Sequence, residues 1–271
     1  MNNKAKLYFE NKKTTNKVNV SKEKSIILSE KLKKYYLIED ISEKKLCKKT
    51  LLFLKFGADI NFSNKYFSFL DMALYNNFNE LAKLLIENGA NIFSYEYPRS
   101  APLYTACMKG NYEMVRILCD LGAAKNYINI GNPILIDMLK SENEIVNQNS
   151  IIKYLFKSGY KNDEKDISNQ TPLFYAANNN DKEVVEILLK NGANPLVKSH
   201  HNEKTAYDIA ITKNLEMANL IEHYEEIWKE KQKQEEIKEA KYNAMFEEII
   251  NDIKENKEKN KQSNAKKELE K

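Results

Sequence analysis

The sequence predicts an all-α fold: a solenoid of about five to six stacked helix-turn-helix units with hairpin loops, followed by a long C-terminal helix. Two observations lead to this class. Glycine and proline, both rare here, recur at a nearly fixed period, and apolar runs with helical spacing lie between them. The composition agrees, because a chain of this length that is 42% hydrophobic and 30% charged can form a core but is more polar than an average domain.

Glycine predicts where helices end. Five of the seven glycines recur at a nearly constant interval, and each follows an apolar helical run. They are Gly57, Gly89, Gly122, Gly159 and Gly192. A residue without Cβ is favoured where a helix ends in a left-handed conformation, so these positions predict five such turns.

Proline and hydroxyl residues predict where short first helices begin. Pro102, Pro133 and Pro172 open three similar segments, and two more align without proline at Ser68 and Thr205. Proline suits the first helical position, and a Ser or Thr side chain can accept bonds from the first free amides. The interval from Pro102 to Gly122 equals that from Pro172 to Gly192, and it has room for two short helices and a turn.

The unit from Thr171 to Pro195 reads TPLFYAANNNDKEVVEILLKNGANP. With its period of about 33, this pattern resembles the ankyrin repeat over roughly residues 25–224. The resemblance implies a hairpin-like loop followed by two antiparallel helices. It also implies a short first helix that is rich in alanine, so that neighbouring units can approach closely, as Ala73, Ala106, Ala176 and Ala210 would allow. The His that the family usually carries after Thr-Pro-Leu is missing throughout, which puts the rigidity of the stack in doubt.

The expected domains follow this register. Residues 1–24 form a basic disordered arm with seven lysines and two glutamates, and residues 25–224 form the repeat domain. Within that domain we predict a degenerate N-cap at 25–65, repeats at about 66–98, 99–130, 131–168 and 169–202, and a C-cap at 203–224. Residues 225–271 are predicted as a charged helix whose low-complexity end frays.

The third repeat departs most from the pattern. The interval from Pro133 to Gly159 is longer than the matching interval in the other repeats, and the polar stretch 141–149 accounts for the excess. Asp137 replaces the usual alanine, and we expect it at a rim or hydrogen-bonded because a buried unpaired carboxylate is costly. This repeat is therefore the predicted weakest part of the stack.

The C-terminal helix carries Tyr242, Phe246, Ile249 and Ile253 on one face. That face could pack on the last unit, on a second copy of the chain or on a partner. The alternative is a solvated helix with many salt bridges.

Motifs for catalysis or cofactor binding are missing from the sequence. It has no glycine-rich phosphate loop and no nucleophile elbow. Cys107 and Cys119 fit buried structural positions, and His200 and His201 lack a third ligand at metal spacing. We therefore predict a protein that is not an enzyme, with no cofactor, no metal and no small-molecule substrate.

Because the sequence shows no sign of catalysis or cofactor binding, we expect the protein to act by binding a partner through its surface. In the ankyrin family, hairpin tips and first helices form a concave face that binds proteins. Tyr and Arg are common at such contacts because they bury a large area and keep a polar group. The predicted partner-binding residues are Tyr95, Tyr97, Arg99, Tyr104, Met108, Lys109, Ile167, Ser168, Phe174, Tyr175, Asn178, Asn179, His200 and His201.

The sequence thus predicts a non-catalytic scaffold for an unidentified partner protein. One alternative is contact with nucleic acid or an anionic surface through the Lys-rich arm, although the net charge of only +4 does not indicate nucleic-acid binding for the whole chain. Others are an exported effector and self-association through residues 225–271. No apolar run reaches membrane-spanning length and no signal peptide is visible, which favours a cytoplasmic protein.

Overall fold

A computed structural model of the chain describes residues 20–38, 40–63, 67–93, 101–125, 127, 133–161 and 164–269, with side chains up to Asn251 and at Ile253. These residues form twelve helices and no strands. In chain order, α1 to α12 are Lys22–Tyr36, Glu43–Lys55, Phe69–Tyr75, Asn79–Glu87, Pro102–Met108, Tyr112–Asp120, Ile134–Lys140, Gln148–Lys157, Pro172–Asn178, Lys182–Lys190, Ala206–Ala210 and Leu215–Leu269. The predicted all-α class with stacked helix pairs is confirmed.

The five periodic glycines end the second helices as predicted. Their φ angles lie between 83° and 97°. At Gly57, the glycine amide donates to the carbonyl of Leu54, and the next amide, of Ala58, donates to Phe53, both at 3.0 Å. The same pair of bonds recurs at Gly89, Gly122, Gly159 and Gly192. The second helices α2, α4, α6, α8 and α10 therefore close in a Schellman motif, which satisfies their last carbonyls.

The helix pairs stack in two rows. The short first helices α3, α5, α7, α9 and α11 contact one another in sequence, and α1 contacts α3 at one end. In the second row, α2 contacts α4, and α8 contacts both α6 and α10. The alanines of the first helices, Ala73, Ala106, Ala176 and Ala210, are fully buried, which agrees with the expected close approach of neighbouring units.

Two boundaries differ from those expected. Helix α1 begins at Lys22, inside the segment assigned to the arm, because the Ser21 side chain accepts a bond from the Lys24 amide at 3.3 Å. At the other end, no glycine closes the last unit, and its second helix continues across residue 224 to Leu269.

The chain divides into two compact units, Met1–Ala218 and Asn219–Lys271. The helix pairs belong to the first unit, and most of α12 forms the second. Within the described parts of the chain, no helix is both long and apolar enough to span a membrane.

The predicted insertion lies between α7 and α8, at residues 141–147. These two helices pack on α5, α6, α9 and α10 more than on each other, unlike the two helices of the neighbouring units. An open surface pocket of about 470 Å³, bordered by Ser141, Glu144, Asn147 and Asn179, lies beside the insertion.

Candidate partner-binding surface

The loop before α9 forms a turn that holds one apolar side chain in solvent. Asp166 Oδ1 accepts bonds from the amides of Ser168 and Gln170, each at 2.9 Å. The Asp166 amide donates to the Gln170 carbonyl at 3.0 Å and closes the turn. Between these anchored residues, the side chain of Ile167 is 100% exposed.

The next loop packs against this turn. The His200 amide donates to the Ser168 carbonyl at 2.9 Å, and Asn169 Nδ2 donates to the Lys198 carbonyl at 2.7 Å. His200 and His201 are both exposed. The structure therefore brings Ile167, Ser168 and His200, which the sequence placed in two separate hairpin tips, into one continuous surface.

Tyr175 extends this surface onto the first helix α9. Its hydroxyl lies 2.6 Å from Asp166 Oδ2 and 2.7 Å from Gln170 Oε1, and Lys140 Nζ lies 5.3 Å from the centre of its ring. We call Asp166, Ile167, Ser168, Tyr175 and His200 the tip surface.

Electrostatics fix the protonation of the Asp166 and Tyr175 pair. Burial alone would raise the pKa of Asp166, but hydrogen bonds from Tyr175 and from the Gln170 and Ser168 amides outweigh it, so the pKa is lowered. Burial and the bond to Asp166 raise the pKa of the Tyr175 hydroxyl. Near neutral pH the pair is therefore a carboxylate bound to a neutral phenol, which holds the ring in place.

Two predicted contact residues are buried instead of exposed. Tyr104 is 8% exposed and Phe174 is 7% exposed. They occupy equivalent positions in α5 and α9, and each of these helices packs between two neighbouring first helices. The Tyr104 hydroxyl donates to Asp137 Oδ2 at 2.7 Å, so the hydrogen bond that we expected for Asp137 is present.

The other predicted residues differ in availability. Asn178 and Asn179 are exposed, but Asn179 Nδ2 donates to the Leu139 carbonyl at 2.7 Å, and Lys213 Nζ donates to the carbonyl and the side chain of Asn178. These two asparagines therefore link neighbouring units. Tyr95, Tyr97 and Arg99 lie outside the described residues.

Met108 and Lys109 are half-buried at the end of α5. Lys109 Nζ lies 3.6 Å from the centre of the Tyr75 ring, a cation–π geometry. Sequence reasoning missed Tyr75, although it stands at the place in the preceding repeat that Met108 takes in its own and is 55% exposed.

Comparison with known proteins agrees with this architecture. The family model for ankyrin repeats (3 copies) matches residues 40–132 and 138–231. The chain belongs to the ankyrin repeat family. A potassium channel, AKT2/3 of Arabidopsis thaliana, is 28% identical over 155 residues, which make up 57% of this chain and 18% of the channel.

Two of the ankyrin repeats replace the family's missing histidine with a capping box. Asp71 Oδ2 accepts bonds from the Ser68 amide at 3.0 Å and the Ser68 hydroxyl at 2.7 Å, and the Asp71 amide donates to Ser68 Oγ at 3.1 Å. Thr205 and Asp208 form the same box before α11. Reciprocal bonds of this kind satisfy free amides at the starts of α3 and α11.

On the second-helix side, an aromatic and basic cluster joins α6 to α8. The guanidinium of Arg116 lies 5.9 Å from the centre of the Tyr112 ring and 5.8 Å from that of Tyr154. The Tyr154 hydroxyl donates to Asp120 Oδ1 at 2.8 Å, and this bond raises the pKa of the Tyr154 hydroxyl. Sequence reasoning missed this cluster, because its members belong to different repeats and are far apart along the chain.

Cys107 and Cys119 have the surroundings of structural residues. Cys107 is fully buried, and burial raises the pKa of its thiol well above the ordinary value. Burial likewise raises the pKa of Cys119 to about 12. A thiol that stays protonated is a poor nucleophile. Among the described residues, no group of three or more His, Cys, Asp or Glu side chains could hold a metal ion.

Proposed function

We propose that this ankyrin repeat protein is a non-catalytic scaffold whose tip surface binds a partner protein. Ankyrin repeats are protein–protein interaction modules, which supports the general role. We choose this surface because Ile167 is a fully exposed apolar side chain on a turn that three hydrogen bonds hold in place.

The mechanism is presentation of a fixed surface. Binding normally costs the entropy of ordering loops and side chains, and a turn that is already closed avoids part of that cost. Covering Ile167 contributes about 1.5–3 kcal/mol. The half-buried ring of Tyr175 beside it adds apolar area together with a polar group, and the exposed imidazole of His200 adds a hydrogen-bonding group at the rim.

The test uses Ile167→Glu in the full chain. Proteins captured from native cells by the unchanged chain are purified, and their dissociation constants are measured for both versions. We expect binding to weaken about 10- to 100-fold, the equivalent of the lost burial energy. Folding should be unaffected because the Ile167 side chain makes no buried contact.

Val146→Glu is the matched control. Val146 is also apolar and 67% exposed, but it lies in the insertion and not in the tip surface. Full binding by Ile167→Glu, or equal weakening by both variants, would exclude the tip surface as the partner site. The double variant Tyr95→Ala and Tyr97→Ala tests the separate sequence-based prediction for that loop.

A further inference from the structure

The C-terminal helix carries a stripe of exposed apolar side chains along one face. A helix that only meets solvent and forms salt bridges, the alternative considered above, does not explain such a stripe. Six large side chains lie close together along the helix, and each is between 37% and 63% exposed. They are Tyr242, Met245, Phe246, Ile249, Ile250 and Ile253. At 3.6 residues per turn they fall within about 140° of the helix circumference. The opposite side carries Ala244, Glu247, Glu248 and Asn251. We call the six residues the 242–253 stripe.

We propose that the 242–253 stripe is a self-association surface on which a second copy of the chain packs as an antiparallel helix. The proposal does not depend on the tip surface or on its partner. It rests on three features of the stripe: its area, its spacing and the distribution of large and small side chains along it.

The area matches what a pair of chains needs. Taking about 200 Å² for each large side chain, the exposed fractions correspond to roughly 600 Å² of apolar surface per helix. A symmetric pair would cover about 1,200 Å², the lower end of the range for specific interfaces. This is the largest area that two stripes can bury against each other.

The six apolar residues have the same spacing whether the helix is followed from its N-terminal end or from its C-terminal end. Reversing the helix about the point between Glu247 and Glu248 places position 242 on 253, 245 on 250 and 246 on 249. A two-fold axis at that point thus sets every apolar residue of one copy against an apolar residue of the other, as an isologous interface requires.

The sizes of the side chains favour the antiparallel arrangement. Both aromatic rings, Tyr242 and Phe246, lie in the first half of the stripe, and the three isoleucines lie in the second half. Antiparallel pairing sets Tyr242 against Ile253 and Phe246 against Ile249, so each of these facing pairs combines one aromatic ring with one isoleucine. Parallel pairing would set ring against ring at one end and isoleucine against isoleucine at the other, and facing positions pack best when large meets small.

Sedimentation of the full chain tests the association. At about 50 μM the unchanged protein should sediment as a dimer of the 31.6 kDa chain. Phe246→Glu should sediment as a monomer, with the dissociation constant raised at least about 100-fold because a charge is buried at the centre. Ala244→Glu adds the same charge on the opposite side and should remain dimeric.

Circular dichroism shows whether the helix persists in each variant, and Ile249→Glu repeats the test at a second position. A monomeric unchanged protein, or a dimer that survives both stripe substitutions, would overturn the proposal. Loss of the dimer in Ala244→Glu as well would also contradict it.

Spin labels determine the direction of the helices. A label at Lys229→Cys, in a Cys47→Ser background because Cys107 and Cys119 are buried, should give an inter-label distance of about 55 Å in the antiparallel dimer at 1.5 Å rise per residue. A label at Glu247→Cys lies close to the two-fold axis along the helix and should give a much shorter distance, set by the separation of the two helices and the outward-pointing label arms. A distance at position 229 as short as that at position 247 would exclude the antiparallel register, because a parallel pair sets equal positions side by side.

Discussion

Positive φ angles mark three kinds of turn: those after the second helices α2, α4, α6, α8 and α10, those between the two helices of a unit, and those in the loops before α9 and α11, at Asn169 and Glu203. Glycine serves the first kind. Between helices, Asn77 and Asn180 take φ values of 55° and 58°, while Gly110 takes 64° at the equivalent place. Asn tolerates the left-handed region, so backbone conformation alone does not require glycine at 110. The close approach of the insertion does, because a Cβ there would lie 2.5 Å from the Val146 carbonyl oxygen.

We therefore expect Gly110→Asn to destabilise the protein by about 1–3 kcal/mol in urea unfolding, through overpacking against Val146. Gly192→Ala is the comparison. It has a φ of 83° but no atom within 4 Å of the added Cβ, so it should cost only the backbone strain of about 1–2 kcal/mol. If Gly110→Asn were as stable as the unchanged protein, the Val146 backbone would not restrict the side chain at position 110.

At the scale of the helices, each short first helix depends on how its first turn is capped. The box at Ser68 and Asp71 lies in the interior, and Asp71 is 1% exposed. Burial raises the pKa of Asp71 to about 6, although hydrogen bonds from Ser68 act to lower it. The cap therefore contains a carboxylate whose charged form is disfavoured by folding.

This shift predicts how stability changes with pH. The folded pKa lies above the unfolded one, so the folded state binds the extra proton between about pH 6 and pH 4 and is stabilised as the pH falls through that window. Asp71→Asn cannot titrate. The difference in unfolding free energy, unchanged protein minus variant, should grow by about 2–3 kcal/mol from pH 7 to pH 4.

Asp208→Asn is the control for that measurement. It makes the same chemical change in the box at Thr205, where the Asp side chain is exposed. A constant difference between unchanged protein and Asp71→Asn across the range would show that the buried carboxylate does not contribute to the pH dependence.

At the scale of the whole repeat domain, the free energy of unfolding is approximately the sum of the intrinsic stabilities of the units and the energies of the contacts between neighbouring units. We expect the repeat of α7 and α8 to be the weakest, for two reasons. Its helices contact each other little, and neither Pro133 nor Asn147 caps its helix with a side chain, whereas each of the two neighbouring repeats has at least one such cap.

Hydrogen exchange followed by mass spectrometry should therefore find the amides of α7 and α8 less protected than those of α5, α6, α9 and α10. Local opening costs less where fewer buried contacts are lost. If α7 and α8 were the best protected helices, the insertion would be a stabilising feature and this assignment would be wrong.

The sequence by itself determined the repeat architecture and the position of most helices. It could do so because helix ends are local requirements: a left-handed turn selects glycine, and a first turn selects proline, Ser or Thr. The same information located the insertion near residues 141–149. It did not identify Gly110, whose requirement comes from Val146, a residue far along the chain.

Only the tertiary structure decided which side chains reach the surface. Tyr104 and Tyr175 were equivalent candidates by sequence, but they occupy adjacent positions on their helices, and packing in the stack covers Tyr104 while leaving Tyr175 partly open. It also joined Ile167 and His200 through a bond between the loops of successive repeats. Local preference fixes a helix end, whereas exposure depends on where the neighbouring unit lies, and that is set by the packing of the whole stack.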